Sequence, residues 1–150
     1  MSTDLATKID LGLEELATVR EQISPLIAES SSPEVGAMET AAASAMLHSF
    51  YTEIEKILKL IAREWDGHMP PSDRWHRELL NQMAAPTNTR PPVVSSDLVG
   101  VLKEFLAFRH LFRGASVALM RWDKLVPLVA KVDQTYLQAR QARLSRRPAP

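Results

Sequence analysis

The stretch that decides the fold is Leu47–Trp65, which reads LHSFYTEIEKILKLIAREW. Its large apolar residues recur at steps of three and four, the spacing that places side chains along one face of an α-helix. This inward stripe consists of Leu47, Tyr51, Ile54, Leu58, Ile61 and Trp65. The stretch therefore predicts a long helix that buries one face against the rest of the chain.

The same periodicity recurs on both sides of this helix. A first helix carries the stripe Leu5, Ile9, Gly12, Leu16, Val19, Ile23 and Leu26. A fourth helix, opened by Ser96 and Asp97, carries Leu98, Val101, Phe105, Phe108, Phe112, Ala115 and Leu119. A fifth helix carries Trp122, Leu125, Val129, Val132, Tyr136 and Ala139.

Breaks between these helices complete the outline. Residues 30–34, SSSPE, combine a Ser cap, a Pro and a Glu, which predicts the start of the second helix. Two linkers, 66–72 and 85–92, flank a short helix over Arg74–Met83 with Ser72 or Asp73 as its cap. No segment combines alternation with β-branched residues, so we predict no sheet. Four long helices and one short crossover helix predict an all-α bundle, with one helical domain over residues 1–144 and a disordered tail over 145–150.

Composition narrows the class of protein. With 150 residues, of which 45% are hydrophobic and 24% charged, the chain has the size and balance of one soluble globular domain. It has no apolar run of membrane-spanning length, no signal-peptide pattern at its start and no cysteine, which together favour the cytoplasm. The four histidines have no metal-ligand spacing and the glycines form no phosphate loop, so we expect no metal and no cofactor. Carboxylates such as Glu53 and Glu55 are expected on a solvated face.

Charge is distributed unevenly along the chain. Residues 1–75 hold 6 Lys and Arg against 13 Asp and Glu, whereas residues 76–150 hold 12 against 5. Two interpretations fit this asymmetry. The halves neutralise each other within one fold, or the second half presents a basic face to an anion such as RNA. The basic residues near the end, Arg140, Arg143, Arg146 and Arg147, suit either interpretation.

The most distinctive stretch is 108–116, FRHLFRGAS. If it is helical throughout, Arg109 and Arg113 lie on one stripe that Ser116 continues, with His110 and Gly114 alongside. Two guanidiniums and an imidazole in one patch can hold a phosphate and exchange protons near neutral pH. Alternatively, these side chains are solvated or paired with carboxylates of the acidic half. Within a helix, Gly114 costs about 1 kcal/mol relative to alanine, so it marks a kink or a close approach of another helix.

Several pieces of the chain, in this order and spacing, resemble the HepT-like branch of the HEPN ribonuclease-toxin superfamily. They are residues 48–55 (HSFYTEIE), Asp66-Gly67, 75–80 (WHRELL), 90–95 (RPPVVS), 108–113 (FRHLFR) and 122–125 (WDKL). The resemblance implies a HEPN fold that pairs into a two-fold dimer, with an arginine, a polar residue and a later histidine meeting their symmetry mates in a cleft. That composite site cleaves RNA without metal. It also implies a nucleotidyltransferase antitoxin that in some systems adenylylates a tyrosine just after the histidine.

Carried over residue by residue, Arg109 matches the motif arginine and His110 the polar residue after it. The histidine position is Gly114 and the tyrosine position is Ser116, so the motif is degenerate. His110 is a candidate substitute for the missing base, although it lies one helical turn, about 5.4 Å, from position 114. The segment 63–68, REWDGH, is a literal match to the arginine–histidine motif, because its Arg and His have the right separation. Asp66-Gly67 there, however, resembles a helix end.

Two functions from different classes follow. The first is a HepT-like endoribonuclease with Arg109 as phosphate clamp, His110 as proton-transfer group and Arg113 as supporting cation. The second is a non-catalytic helical dimer that keeps the fold and the basic cleft and binds RNA or a nucleotidyltransferase partner. A purely structural helical dimer is a further alternative.

Overall fold

A computed structural model describes residues 1–28 and 35–144 of the chain. Over these residues the protein is all-α, with no strand, as the periodicity predicted. The helices are α1 (Thr3–Ala28), α2 (Ala37–Leu60), α3 (Trp75–Ala84), α4 (Ser96–Gly114), α5 (Trp122–Val129) and α6 (Val132–Leu144). A π-helical turn, Ile61–Asp66, continues α2, and a 3-10 turn, Val117–Leu119, separates α4 from α5. None of the described helices is both long and apolar enough to cross a membrane.

Helix α2 forms the centre of the bundle, with α1 along one side and α3, α4 and α5 against the others. Its predicted inward stripe is buried over Leu47, Tyr51, Ile54, Leu58 and Ile61, while Trp65 at its end is half-buried. Phe50 and Phe105 meet in the core with ring centroids 5.4 Å apart. A Cβ at Gly12 would lie 2.8 Å from Ile57 Cγ1, so glycine permits the close approach of α1 and α2 there.

The turn after α2 is held by a buried ion pair. Arg90 donates from Nε and Nη2 to the two carboxylate oxygens of Asp66, each at 2.6 Å, and both side chains are at most 1% exposed. The remaining Arg90 donors reach the carbonyls of Ala85, Pro91 and Gln82. Burial alone would raise the pKa of Asp66, but hydrogen bonds from Arg90 and Gln82 hold it below its ordinary value. This pair fixes the linker before α4 to the end of α2 and so positions α4.

Gly67 ends the turn in the left-handed region at φ 80°, a conformation that glycine adopts without a Cβ penalty. The short helix α3 appears where it was predicted, and Ser72 accepts a hydrogen bond from the Arg74 amide at its start. Ser95, one residue before the predicted opening, caps α4 by accepting from the Leu98 amide.

The structure corrects the predicted end of the fourth helix. The chain leaves the helix at Gly114, and Ala115 is extended, with φ −118° and ψ 154°. Leu119, predicted on the buried stripe, is 74% exposed. Glycine is a poor helix former, and the Ser116 hydroxyl accepts from the Ala118 amide instead, which stabilises a new turn. Gly114 therefore ends the helix rather than kinking it.

Two further boundaries differ from the prediction. The fifth helix is interrupted at Ala130 and Lys131, where the Lys131 amide donates to Leu128 and tightens the turn. Val129 and Val132, on either side of this interruption, are both fully buried. Helix α2 begins at Ala37; the predicted start signal at 30–34, like the predicted tail 145–150, lies outside the described residues.

Candidate functional site

Side chains from three helices meet around Arg109 in the second half of α4. Helix α2 contributes His48, Tyr51 and Glu55, which share one face because they are spaced by three and four residues. Helix α3 contributes His76. We call this group of side chains, together with His110, the α2–α4 cluster.

Arg109 is the centre of this cluster. Its Nε and Nη1 atoms are buried and have no hydrogen-bond partner within the part of the chain that the structure describes. The side chain is close enough to His48 and Tyr51 for its positive charge to affect the pKa of both. A buried guanidinium that the chain leaves unsatisfied is costly, which sets this arginine apart from an ordinary structural one such as Arg90.

His48 lies between Arg109 and Phe112. Its ring centroid is 4.8 Å from that of Phe112, and its buried Nδ1 has no hydrogen-bond partner. Burial, followed by the positive charges of Arg109 and Arg113, lowers the pKa of His48 below its ordinary value. The imidazole is therefore neutral at neutral pH and is able to accept a proton.

Two hydroxyl groups lie on consecutive residues of α2. The Thr52 hydroxyl has no hydrogen-bond partner among residues 1–28 and 35–144, whereas the buried Tyr51 hydroxyl lies close to Glu55. Burial, followed by the negative charge of Glu55, raises the pKa of Tyr51, so its phenol stays protonated. His48, Thr52 and Arg109 thus present polar atoms that the described chain does not satisfy, although buried polar groups are normally paired.

The prediction that Glu55 lies on a solvated face was wrong. Its side chain is only 5% exposed and its Oε2 accepts a hydrogen bond from His76 Nδ1 at 2.7 Å. His76 is 13% exposed and its ring stacks on Trp75, with centroids 3.6 Å apart. The tertiary structure therefore forms a carboxylate–imidazole pair that no sequence motif predicted.

The structure brings only some of the site residues predicted from the sequence into the cluster. His110 is exposed, and its ring meets that of His76 edge-on with centroids 5.8 Å apart. Arg113 is exposed one turn beyond Arg109, and neither arginine forms an ion pair within residues 1–28 and 35–144. Ser116 does not continue their stripe, because it follows the helix end.

Gly114 faces open space. A Cβ built at this position meets no atom within 4 Å, so no neighbouring helix in this chain requires a glycine there. The predicted close approach of another helix is therefore absent from the described part of the chain. An added Cβ at 114 therefore displaces no described atom.

An apolar rim borders the cluster. Leu111, Val117 and Leu119, from the end of α4 and the following turn, are 56%, 41% and 74% exposed. These exposed apolar side chains, close to the arginines in sequence, are available for contact with another protein surface.

Other candidate positions lack comparable features. In the literal match at 63–68, Arg63 and His68 are exposed and Asp66 is committed to Arg90. No group of three or more His, Asp or Glu side chains within the described residues has the arrangement of a metal site. An apolar cavity of about 60 Å³ lies among residues such as Ile9, Leu58 and Leu102, and it shares no lining residue with the α2–α4 cluster.

Sequence reasoning found Arg109, His110 and Arg113 but assigned no role to His48, Glu55 or His76. A partial signal was present, because all three lie within stretches that resemble the HepT-like pattern. The spacing of residues along the chain could not predict that α2, α3 and α4 meet at one point. The convergence of these stretches explains why they occur together in one chain.

Fold and site together define an all-helical bundle whose central helices enclose a cationic, histidine-lined cluster. A family model described as HepT-like protein matches residues 42–145, which include every residue of this cluster. The chain belongs to the HepT-like family. Searches of curated proteins and of solved structures found no match.

Proposed function

We propose that the protein is a HepT-type endoribonuclease that holds a phosphodiester of RNA at Arg109. The observation that carries this proposal is that half-buried Arg109 holds two buried guanidinium nitrogens, Nε and Nη1, without a hydrogen-bond partner in the described residues, near imidazoles on α2, α3 and α4. Guanidinium nitrogens match phosphate oxygens in geometry and charge. Arg113, exposed one turn further on, adds a second cation for the neighbouring backbone.

The reaction that fits these groups is attack of a ribose 2′-oxygen on the adjacent phosphorus. His110 takes the 2′-hydroxyl proton, a bond forms between that oxygen and phosphorus, and the bond to the 5′-oxygen breaks. Arg109 offsets the negative charge that builds on the non-bridging oxygens. The products are a 2′,3′-cyclic phosphate and a 5′-hydroxyl end.

A two-fold dimer is part of this proposal. The apolar rim of Leu111, Val117 and Leu119 supports self-association next to the arginines, which would place two copies of Arg109 along one groove. Size-exclusion chromatography with light scattering tests this directly. We expect a dimer that a Leu119→Glu substitution dissociates, and a monomeric wild-type protein would contradict it.

The central experiment compares cleavage of end-labelled RNA by wild type, Arg109→Ala and Arg63→Ala. Arg63 is a charge-matched control that is exposed and belongs to the literal match at 63–68. We expect wild type and Arg63→Ala to cleave equally, and Arg109→Ala to lose about 100-fold or more of the rate. Loss with Arg63→Ala instead would transfer the site to the π-helical turn, and absence of cleavage by wild type would reject the nuclease function.

A binding function is the second candidate, and Gly114 and Ser116 favour it because both motif positions are substituted. In that case the wild-type protein binds RNA with strong salt dependence but does not cleave it. Gly114→His then creates cleavage, since the position is exposed and an added Cβ there meets no atom within 4 Å. Binding without cleavage, followed by a gain with Gly114→His, would decide for this candidate over the first.

The family resemblance implies a nucleotidyltransferase antitoxin as partner. Position 116 offers a serine, and the two tyrosines of the chain, Tyr51 and Tyr136, are 1% and 6% exposed. We therefore expect restraint by binding rather than by adenylylation of a tyrosine. Intact-mass measurement after incubation with such a partner and ATP should show unchanged mass of the native chain, and an AMP adduct on a tyrosine would contradict this expectation.

A further inference from the structure

The pair formed by Glu55 and His76 supplies a group that the proposed reaction still needs. Cleavage of this kind requires two proton transfers, one from the 2′-hydroxyl and one to the departing 5′-oxygen. His110 accounts for the first transfer. Position 114, where the resemblance places the motif histidine, holds only Gly114.

We propose that His76, oriented by the buried carboxylate of Glu55, donates the proton to the leaving 5′-oxygen. The hydrogen bond from Nδ1 to Glu55 Oε2, at 2.7 Å, leaves Nε2 as the nitrogen that exchanges a proton. Glu55 compensates the positive charge that the ring carries while Nε2 is protonated. Carboxylates that fix the tautomer of a catalytic histidine act in the same way in unrelated enzymes.

The position of His76 is consistent with this role. The ring of His110, which follows Arg109 on α4, lies edge-on to the ring of His76, with centroids 5.8 Å apart. Tyr51 connects Glu55 with Arg109, because its phenol is close enough to both for their charges to affect its pKa. His76 thus borders the place where Arg109 would hold the phosphate, and stacking on Trp75 restricts its ring.

The step balances without a further reactant. As the bond between phosphorus and the 5′-oxygen breaks, that oxygen takes the proton from Nε2, and His76 becomes a neutral imidazole that keeps Nδ1–H on Glu55. His110 ends the step protonated. Exchange with solvent water then returns both rings to their starting states.

The assignment depends on the proposed nuclease function, and two substrates separate the two claims. One is ordinary RNA, and the other carries sulfur in place of the scissile 5′-oxygen, a leaving group that needs no proton. His76→Asn retains a donor toward Glu55 but has no ring to supply a proton, and the exposed His68→Asn serves as its control. We expect His76→Asn to lose about 100-fold on ordinary RNA and less than about tenfold on the sulfur substrate.

Each result has a distinct meaning. Equal cleavage of ordinary RNA by His76→Asn and His68→Asn overturns the role of His76 and leaves the nuclease proposal intact. Equal losses on both substrates reduce His76 to a structural residue, which circular dichroism would show as lost helix content. If wild type cleaves neither substrate, both claims fall.

Glu55 is a positioning residue in this scheme and has its own readout. In spectra of the protein with ¹⁵N-labelled histidine, we expect His76 to carry its proton on Nδ1 and Glu55→Gln to alter that tautomer. Glu55→Gln should also slow cleavage of ordinary RNA, by less than His76→Asn does. A tautomer unchanged by Glu55→Gln would overturn the orienting role.

Discussion

Replacing Arg109 by methionine should stabilise the fold while it removes RNA binding. Methionine has a similar length and no charge, so it fills the same space between α2 and α4. The native side chain buries Nε and Nη1 without hydrogen bonds, and each buried unsatisfied group of this kind costs about 1–3 kcal/mol. We expect Arg109→Met to raise the free energy of unfolding by about 1–3 kcal/mol, which corresponds to roughly 2–12 °C in Tm for a chain of this size.

The assay is urea unfolding followed by circular dichroism, together with fluorescence anisotropy of a labelled RNA. Arg113→Met is the matched control, because Arg113 is exposed on the same helix and its removal should change stability by no more than about 0.5 kcal/mol. Removal of the charge should also raise the pKa of His48, which NMR titration measures. If Arg109→Met instead destabilises the fold, Arg109 is a structural residue and the reasoning behind the site is wrong.

Three other predictions concern the fold, its pH dependence and the substituted motif. Arg90→Ala should cost about 3–5 kcal/mol in urea unfolding, because it leaves the Asp66 carboxylate buried without its main partner, and a loss under 1 kcal/mol would contradict this. The pKa of His48 is lowered in the folded chain, so below about pH 6.5 the unfolded chain binds more protons than the folded chain does. The free energy of unfolding should therefore fall as the pH drops through about 6.5. His48→Asn should flatten this dependence, and identical pH profiles of the variant and wild type would refute it. Gly114→His should leave Tm within about 2 °C of wild type, since the position is exposed and an added Cβ meets no atom there. Combined with Ser116→Tyr, which removes the hydroxyl that accepts from the Ala118 amide, it should increase RNA cleavage; unchanged cleavage rates would show that these positions do not limit the reaction.

The periodicity of apolar residues predicted much of the helical architecture. Leu47, Tyr51 and Leu58 are buried as their spacing requires, because the face of a helix that enters the core repeats with the helical period. The stretch 108–113 likewise marked Arg109 as the residue of interest, since residues three and four apart on a helix are neighbours.

The end of α4 was mispredicted for a local reason. Apolar spacing continued through Leu119, but Gly114 and the Ser116 hydroxyl favour a turn over another helical turn, and periodicity carries no information on where a helix stops. The interruption at Lys131 has no glycine or proline to signal it.

By itself, the sequence determined that the chain forms helices with apolar stripes and that an arginine-rich segment lies on one of them, because both properties depend on contacts within a few residues. Only the tertiary structure decided that Glu55 is buried, that it binds His76, and that His48 lies beside Arg109. Those contacts join residues 21 or more positions apart, and they depend on how α2, α3 and α4 pack. Helical spacing specifies the direction of a side chain relative to its own helix, whereas packing decides which groups it meets.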